Sequence, residues 1–320
     1  MGAGDRKATM DRLVTLFGGG GFLGRYVAQT LLKTGARVRI AERDPSNAVF
    51  LKPLSGLGQI QFVAADIGRP ESVSRAVQGA QAVVNLVGIL DGAFERVHVE
   101  GARHVAEAAA AAGAEALVQV SALGADPRSP SAYGRSKALG EEAARAAFPA
   151  ATILRPSVLF GPEDDFVNRF ARLAARLPVV PVIAGHARFQ PAWVADAARA
   201  VALAALSPQI HAGKTYELGG PQVIDMAELN RWIAGAIGRK VRFVPVPDAA
   251  AGALARFGGW LPGAPISWDQ WQMLQRDSVV TPGTAGFAAF AIDPKPLAAV
   301  APGWLVRYRR QGRFSLNASA

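Results

Sequence analysis

Residues 13–24 read Leu13-Val-Thr-Leu-Phe-Gly-Gly-Gly-Gly-Phe-Leu-Gly24, an apolar run that passes directly into glycines at 18, 21 and 24. The run predicts a buried strand over Leu13–Phe17, and the residues after it predict a helix over Phe22–Lys33 that Gly35 stops. Between strand and helix the glycines have separate duties. Gly18 permits a sharp turn, Gly21 lets backbone N–H groups approach a ligand with no Cβ in the way, and Gly24 lets the helix press against the strand. Phe22 and Leu23 fall in the first helical turn, whose free N–H groups and positive dipole end favour an anion. This strand, turn and helix is the arrangement that seats the pyrophosphate of a dinucleotide. A second strand, Arg37–Ala41, delivers Glu42 and Arg43 about 20 residues beyond the glycines, where such a unit reads the ribose.

The rest of the chain repeats the alternation. Strands are expected over Gln59–Ala64, Ala82–Gly88, Ala116–Val120 and Ala151–Leu154, with helices beginning near Pro70 and spanning 99–112. The fourth run, Ala82-Val-Val-Asn-Leu-Val-Gly88, is continuously apolar, as a parallel strand buried on both faces requires. Alternation of this kind predicts an α/β fold, a Rossmann-type doubly wound parallel sheet whose ligands sit at the carboxyl ends of the strands. Past residue 160 the spacing loosens, with helices over Phe166–Leu177 and Asp196–Leu206 and an extended stretch over Pro178–Ile183. From about residue 226 tryptophan and proline become frequent. The expected division is an N-terminal extension over 1–11, a dinucleotide-binding domain over 12–225 and a smaller C-terminal α/β region over 226–320 that covers the crevice.

Composition removes several kinds of chemistry. With no cysteine among 320 residues the chain has no disulfide, thiolate metal site or thiol nucleophile. Its four histidines (98, 104, 186 and 211) match no metal-ligand spacing, so no metal site is expected. Redox chemistry would therefore belong to a bound cofactor. No apolar run reaches the length of a membrane span, and residues 1–12, which carry Asp5 and Asp11, are too short and too acidic for a signal or transit peptide. The net charge of +10 is spread along the chain, which argues for solvated surface and attraction to anions; no base-reading module accompanies it, so no nucleic-acid partner is expected.

Two constellations remain. Asp66-Ile67, at the end of the third strand, is placed to hold an adenine by its edge and its face; equally, Asp66 would cap the helix near Pro70. Tyr133-Gly-Arg-Ser-Lys137 puts a phenol and an ammonium one helical turn apart. A lysine beside the phenol would lower its pKa, so that Tyr133 passes a proton to or from a carbonyl while a cofactor moves hydride.

These strings, together with Arg155-Pro-Ser-Val-Leu-Phe-Gly-Pro162, resemble the short-chain dehydrogenase/reductase superfamily in its extended or atypical form, over roughly residues 12–220. Longer ones, Phe17-Gly-Gly-Gly-Gly-Phe-Leu-Gly-Arg-Tyr-Val27, Arg135-Ser-Lys-Ala-Leu-Gly-Glu141, Phe160-Gly-Pro-Glu-Asp-Asp-Phe166 and Gln190-Pro-Ala-Trp-Val-Ala-Asp196, resemble the NAD(P)H-binding accessory subunits of respiratory complex I and their bacterial relatives. The resemblance implies Tyr133 and Lys137 as the catalytic pair, possessed also of a binding role, since the family's lysine hydrogen-bonds the nicotinamide ribose. It places Ala122 where the family carries a catalytic hydroxyl; shifted by one residue, Ser121 would serve. The cofactor is then held by Gly18, Gly21, Phe22, Leu23, Gly24, Arg43, Asp66, Ile67, Val87, Tyr133, Lys137 and Pro156.

Glu42 would accept the ribose hydroxyls of NADH, and Arg43 would pair with a 2′-phosphate. Alignment of Ala41-Glu-Arg-Asp-Pro45 with the family's NADP-binding relatives gives Arg43 the phosphate and turns Glu42 away, so NADPH is expected and NADH is the alternative. What the resemblance implies is a cofactor-bearing, non-catalytic accessory subunit of a membrane-associated NADH:ubiquinone oxidoreductase, with complex I subunits as partners. It would be cytoplasmic and peripheral on the inner face of a bacterial inner membrane, or on the matrix side in a eukaryote. The alternatives are an active NADP(H)-dependent reductase or epimerase, in ubiquinone biosynthesis among other places, and a dinucleotide redox sensor. Past Pro294 there is no acid, while Lys295, Arg307, Arg309, Arg310 and Arg313 surround Trp304 and Tyr308, a composition suited to anionic lipid or to docking on another subunit.

Overall fold

The computed structural model describes residues 12–259, 266–310 and 312. The expected N-terminal extension over 1–11, and Arg313, lie outside them. In the first unit β1 (Leu13–Phe17), α1 (Phe22–Lys33), β2 (Arg37–Glu42), β3 (Ile60–Ala64), α2 (Pro70–Val77), β4 (Ala82–Asn85), α3 (Gly101–Ala111), β5 (Ala116–Val120), α4 (Ala132–Ala147), β6 (Thr152–Pro156), α5 (Val194–Leu206) and β7 (Thr215–Leu218) follow in order. The strands form one sheet, order β7-β6-β5-β4-β1-β2-β3, with every pairing parallel. The order reverses between β1 and β4, which makes the carboxyl end of β1 the place where such a sheet opens a crevice.

Both faces of the sheet are covered. Val83 of β4 and Leu117 of β5 pack with Val73, Val105, Ala106 and Ala144 of α2, α3 and α4, whereas α5 packs on β4, β5 and β6 and against α1. All five residues of β1 are buried, and its one hydroxyl is satisfied because Thr15 donates to the Ala76 carbonyl at 3.0 Å.

Two expectations change. β4 ends at Asn85 rather than Gly88, because the Asn85 side chain accepts the Val87 N–H at 3.1 Å and takes the chain out of the ladder. The helix expected over 99–112 is entered through a π-helical turn, Glu95–Glu100, before α3 begins. By contact the chain groups into two compact units: one comprises residues up to Pro156, Val194–Leu218 and Pro282–Asp293, the other Ser157–Trp193, Gly219–Thr281 and residues from Pro294 onward. Both α5 and β7 belong to the first unit although residues 157–193 precede them in the chain.

In the second unit a core of Phe160, Val167, Ala171, Leu229, Ile233 and Leu305 is built around Trp304. That tryptophan stacks on Trp193 at 5.6 Å between ring centroids. Arg307 donates to the Pro162 carbonyl and to Asn168 Oδ1, both at 2.7 Å, and the Tyr308 hydroxyl donates to the same Asn168 oxygen. Much of the basic, aromatic segment is thus engaged within its own unit, while Arg310 is exposed.

Candidate dinucleotide site and the Tyr133–Lys137 helix

The glycine turn is a shape that side chains would fill. Gly18 has φ +82°, a left-handed backbone that favours glycine. A Cβ on Gly24 would stand 2.1 Å from the Gly18 carbonyl oxygen, and both atoms are fixed by backbone. Gly21 is the N-cap of α1 and offers no side-chain acceptor, so the first-turn N–H groups of Phe22 and Leu23 are left for an anion. A cavity of about 440 Å³ opens here, and Gly18, Gly21, Arg43, Asp66, Ile67 and Val87 all line it, joined by Glu42, Gly68, Gly88 and Arg96.

Glu42 does not turn away. Its Oε1 accepts the Gly20 N–H at 2.6 Å, because Gly20 has no side chain to hold the carboxylate off; a Cβ there would be 3.1 Å from the same oxygen. Arg43 projects into the same cavity, exposed, with no hydrogen bond or ion pair recorded for it among the described residues. Asp66 is not the cap of α2 either: the N-cap is Arg69, with no side-chain bond. Asp66 Oδ1 instead accepts the Gly68 N–H at 2.9 Å, and Oδ2 lies 3.7 Å from Arg96 and 4.0 Å from Arg69. Ile67 is buried, and its carbonyl accepts from His104 Nδ1 at 2.8 Å.

Tyr133 and Lys137 lie on α4, which Ser131 caps by accepting the Gly134 N–H at 3.2 Å. Lys137 Nζ donates to the Val120 carbonyl at 2.9 Å, at the end of β5. Burial draws the lysine down to about 8, with Glu141 one turn on opposing the shift. Tyr133 is pushed up to about 12 by burial, the reverse of the lowering expected from a neighbouring ammonium. The reason is the phenol's surroundings: its ring meets His98 and Phe94 edge-on, at 5.5 and 6.1 Å.

His98 connects these parts and sequence reading passed over it. Its Nε2 accepts the Ile89 N–H at 3.0 Å, and an amide can only donate, so the ring proton sits on Nδ1 and goes to Ser136 Oγ at 2.8 Å. Ser136 in turn donates to the Tyr133 carbonyl at 2.9 Å. Burial, with the Lys137 charge adding to it, draws His98 down to about 3 and keeps it neutral. Gly140 lets α4 approach this far, since a Cβ there would stand 2.1 Å from the His98 carbonyl oxygen. The available signal was that glycine, seven residues beyond Tyr133.

Pro156 ends β6, where its carbonyl accepts from Leu123, and it does not line the cavity. Ser121 continues the β5 ladder through its N–H to Leu154, 2.7 Å away, yet its buried hydroxyl has no hydrogen-bond partner among the described residues. No cluster of His, Asp or Glu able to hold a metal occurs among the described residues.

Residues 14–219 match the family described as "NAD dependent epimerase/dehydratase family". The chain belongs to that family. It is 34% identical over 303 residues to "NADH dehydrogenase [ubiquinone] 1 alpha subcomplex subunit 9, mitochondrial" of Rattus norvegicus, covering 92% of this chain and 80% of that one. It is 35% identical over 257 residues to "Ceramide reductase" of Caulobacter vibrioides, covering 76% and 77%. Among solved structures, the NADPH-dependent quinone oxidoreductase QOR2 of Escherichia coli, complexed with NADPH, shares the fold at a TM-score of 0.73 and 23% identity, over 91% of this chain and 99% of that one. In this member of the epimerase/dehydratase family the glycine cradle, the unfilled first-turn donors and the cavity they border fit an NAD(P) dinucleotide.

Proposed function

We propose that this chain is a dinucleotide-holding accessory subunit of a membrane-associated NADH:ubiquinone oxidoreductase, in which the nucleotide is kept rather than turned over. Similarity to the rat subunit over 92% of the chain supports the assembly. The observation that carries the non-catalytic part is the state of the proton-transfer pair. With burial pushing Tyr133 up to about 12 and the Lys137 ammonium bonded to the Val120 carbonyl, the phenol is a poor base at neutral pH, and Ala122 stands where a second hydroxyl would be needed to hold a carbonyl. A hydride carrier bound beside it would find a hydrogen-bond donor there, suited to fixing a nicotinamide and its ribose.

The cofactor proposed is NADPH, on the ground that Glu42, though it lines the cavity too, has one carboxylate oxygen engaged by the Gly20 N–H, whereas the Arg43 guanidinium there is uncommitted among the described residues. An arginine fork suits a phosphate dianion, and an engaged carboxylate has less to offer two ribose hydroxyls. Residence on the cytoplasmic face of the bacterial inner membrane, or on the matrix side in a eukaryote, is proposed with the assembly. Among the described residues no helix is long and apolar enough to cross a membrane. Lipid contact through the segment beyond Pro294 is a lesser part of the proposal, resting on exposed Arg310.

The second reading is a reductase, favoured by the Ser121 hydroxyl that lacks a partner and by the similarity to the Caulobacter protein. Purification from the native host in mild detergent, with mass spectrometry of partners and retained nucleotide, separates the two. Co-purification with quinone-oxidoreductase subunits and intact NADPH is the expected result. A lone protein whose NADPH is oxidised on adding a lipid-like ketone would replace the accessory reading with the enzyme.

A further inference from the structure

At its adenosine end the cavity has an incomplete wall. Ile67 supplies an apolar face, but the only aromatic residue lining the cavity, Phe17, is fully buried in the core beneath. A purine held there gains from a second plane, and of the two guanidinium groups that line the cavity, Arg43 and Arg96, it is Arg96 that lies against the Asp66–Gly68 turn beside Ile67. It lies on the π-helical turn Glu95–Glu100, and its side chain is 63% exposed while facing Asp66 Oδ2 at 3.7 Å. Gly68 makes room for it: a Cβ there would stand 3.0 Å from Arg96 Nε and 3.4 Å from Nη2. The guanidinium therefore rests over the Asp66–Gly68 turn. An ion pair at this distance and exposure is worth little, so Arg96 changes partner at small cost.

We propose that Arg96 is the movable wall of a purine subsite. It leaves Asp66 to stack on the ring seated against Ile67, and Asp66 then accepts from the exocyclic amine. Arg43, which lines the same cavity, is left to the phosphate. The inference rests on the dinucleotide reading above and adds a residue that discriminates adenine from smaller or non-planar groups.

Calorimetry on the full chain tests it with three probes: NADPH, adenosine 2′,5′-bisphosphate and reduced nicotinamide mononucleotide. Arg96→Ala is expected to weaken NADPH and the adenosine bisphosphate by the same factor, about tenfold, and to leave the mononucleotide unchanged. Arg96→Lys, which keeps the charge and loses the plane, is expected to recover less than half of that loss on a logarithmic scale. Full recovery with Lys would replace stacking by a point charge and overturn the proposal. Unchanged or tighter NADPH binding by Arg96→Ala would overturn it too, as would equal weakening of both halves of the dinucleotide. Failure of the unaltered protein to bind any dinucleotide would instead overturn the function proposed above, and this inference with it.

Discussion

The glycine turn and the Tyr133–Lys137 helix border the same carboxyl end of the sheet and are made by opposite means. At the turn, function comes from side chains that are absent: a left-handed Gly18, a Gly24 whose Cβ would collide with backbone, and donors left over at the start of α1. At the helix it comes from side chains that are present and displaced from their ordinary protonation, a phenol near 12, an ammonium near 8 and an imidazole near 3. The first region leaves the α1 first-turn donors unfilled by any side-chain cap. The second keeps the phenol protonated at neutral pH, able to donate a hydrogen bond and ill-suited to act as a base. A glycine cradle beside a phenol that stays protonated suits the nucleotide-holding subunit proposed above.

The contrast is broken most severely at the turn. Gly24→Ala puts a methyl group 2.1 Å from a carbonyl oxygen that cannot give way. Dinucleotide binding should be lost, and thermal denaturation should show a destabilisation of about 3 kcal/mol, at the upper end for overpacking. Retention of affinity by this variant would mean that the cradle is softer than its geometry.

At the helix the corresponding probe is pH. His98 is buried and drawn down to about 3 in the folded chain against 6.5 unfolded, so folding binds fewer protons below neutrality. The stability it contributes is complete above pH 6.5 and is lost as pH falls towards 3. At pH 5 the gap of about 1.5 units amounts to about 2 kcal/mol. Urea unfolding at pH 7 and pH 5 should show that loss in the native chain, and His98→Asn should remove most of the difference between the two pH values. An identical pH slope in both proteins would assign the effect to other groups.

Cofactor choice sharpens the comparison further. Arg43→Ala should weaken NADPH by about tenfold, the equivalent of about 1.4 kcal/mol, and leave NADH unchanged. Equal losses for both would place Arg43 on the adenine rather than the phosphate.

What could be read from the sequence follows from what each feature depends on. β1, the glycine turn and the alternation through β5 are local patterns of period and glycine spacing, and the structure reproduces them within a few residues. The seven-stranded order also brings Gly18, Gly21, Arg43, Asp66, Ile67 and Val87 to one cavity, as their positions at strand ends require. His98 and Arg96 were hidden because they lie on a π-helical turn, whose register no 3.6-residue pattern announces, and because their partners Ser136 and Asp66 are distant in sequence. The Tyr133 pKa was misjudged for a related reason. The i, i+4 spacing to Lys137 is visible in the chain, but the burial that outweighs it, and the Val120 carbonyl that takes the ammonium, belong to the fold.

The smallest expected effect carries the most information about function. Tyr133→Phe removes one hydroxyl that stays protonated at neutral pH, so it removes one donor and no charge. If the nucleotide is only held, NADPH affinity should change by about threefold or less, the size of one hydrogen bond exchanged with water. Thermal stability should change little, because the ring's edge-on packing against His98 and Phe94 is kept. A reductase would respond differently: affinity again nearly constant, but oxidation of bound NADPH by a carbonyl substrate slowed by about 10²-fold or more, since the phenol would be the proton donor in the transition state. The two regions then give separable readouts. Loss of binding at Gly24 with indifference at Tyr133 marks a chain that carries its nucleotide, whereas a rate that collapses at Tyr133 while affinity holds would show that the Tyr133–Lys137 pair serves proton transfer.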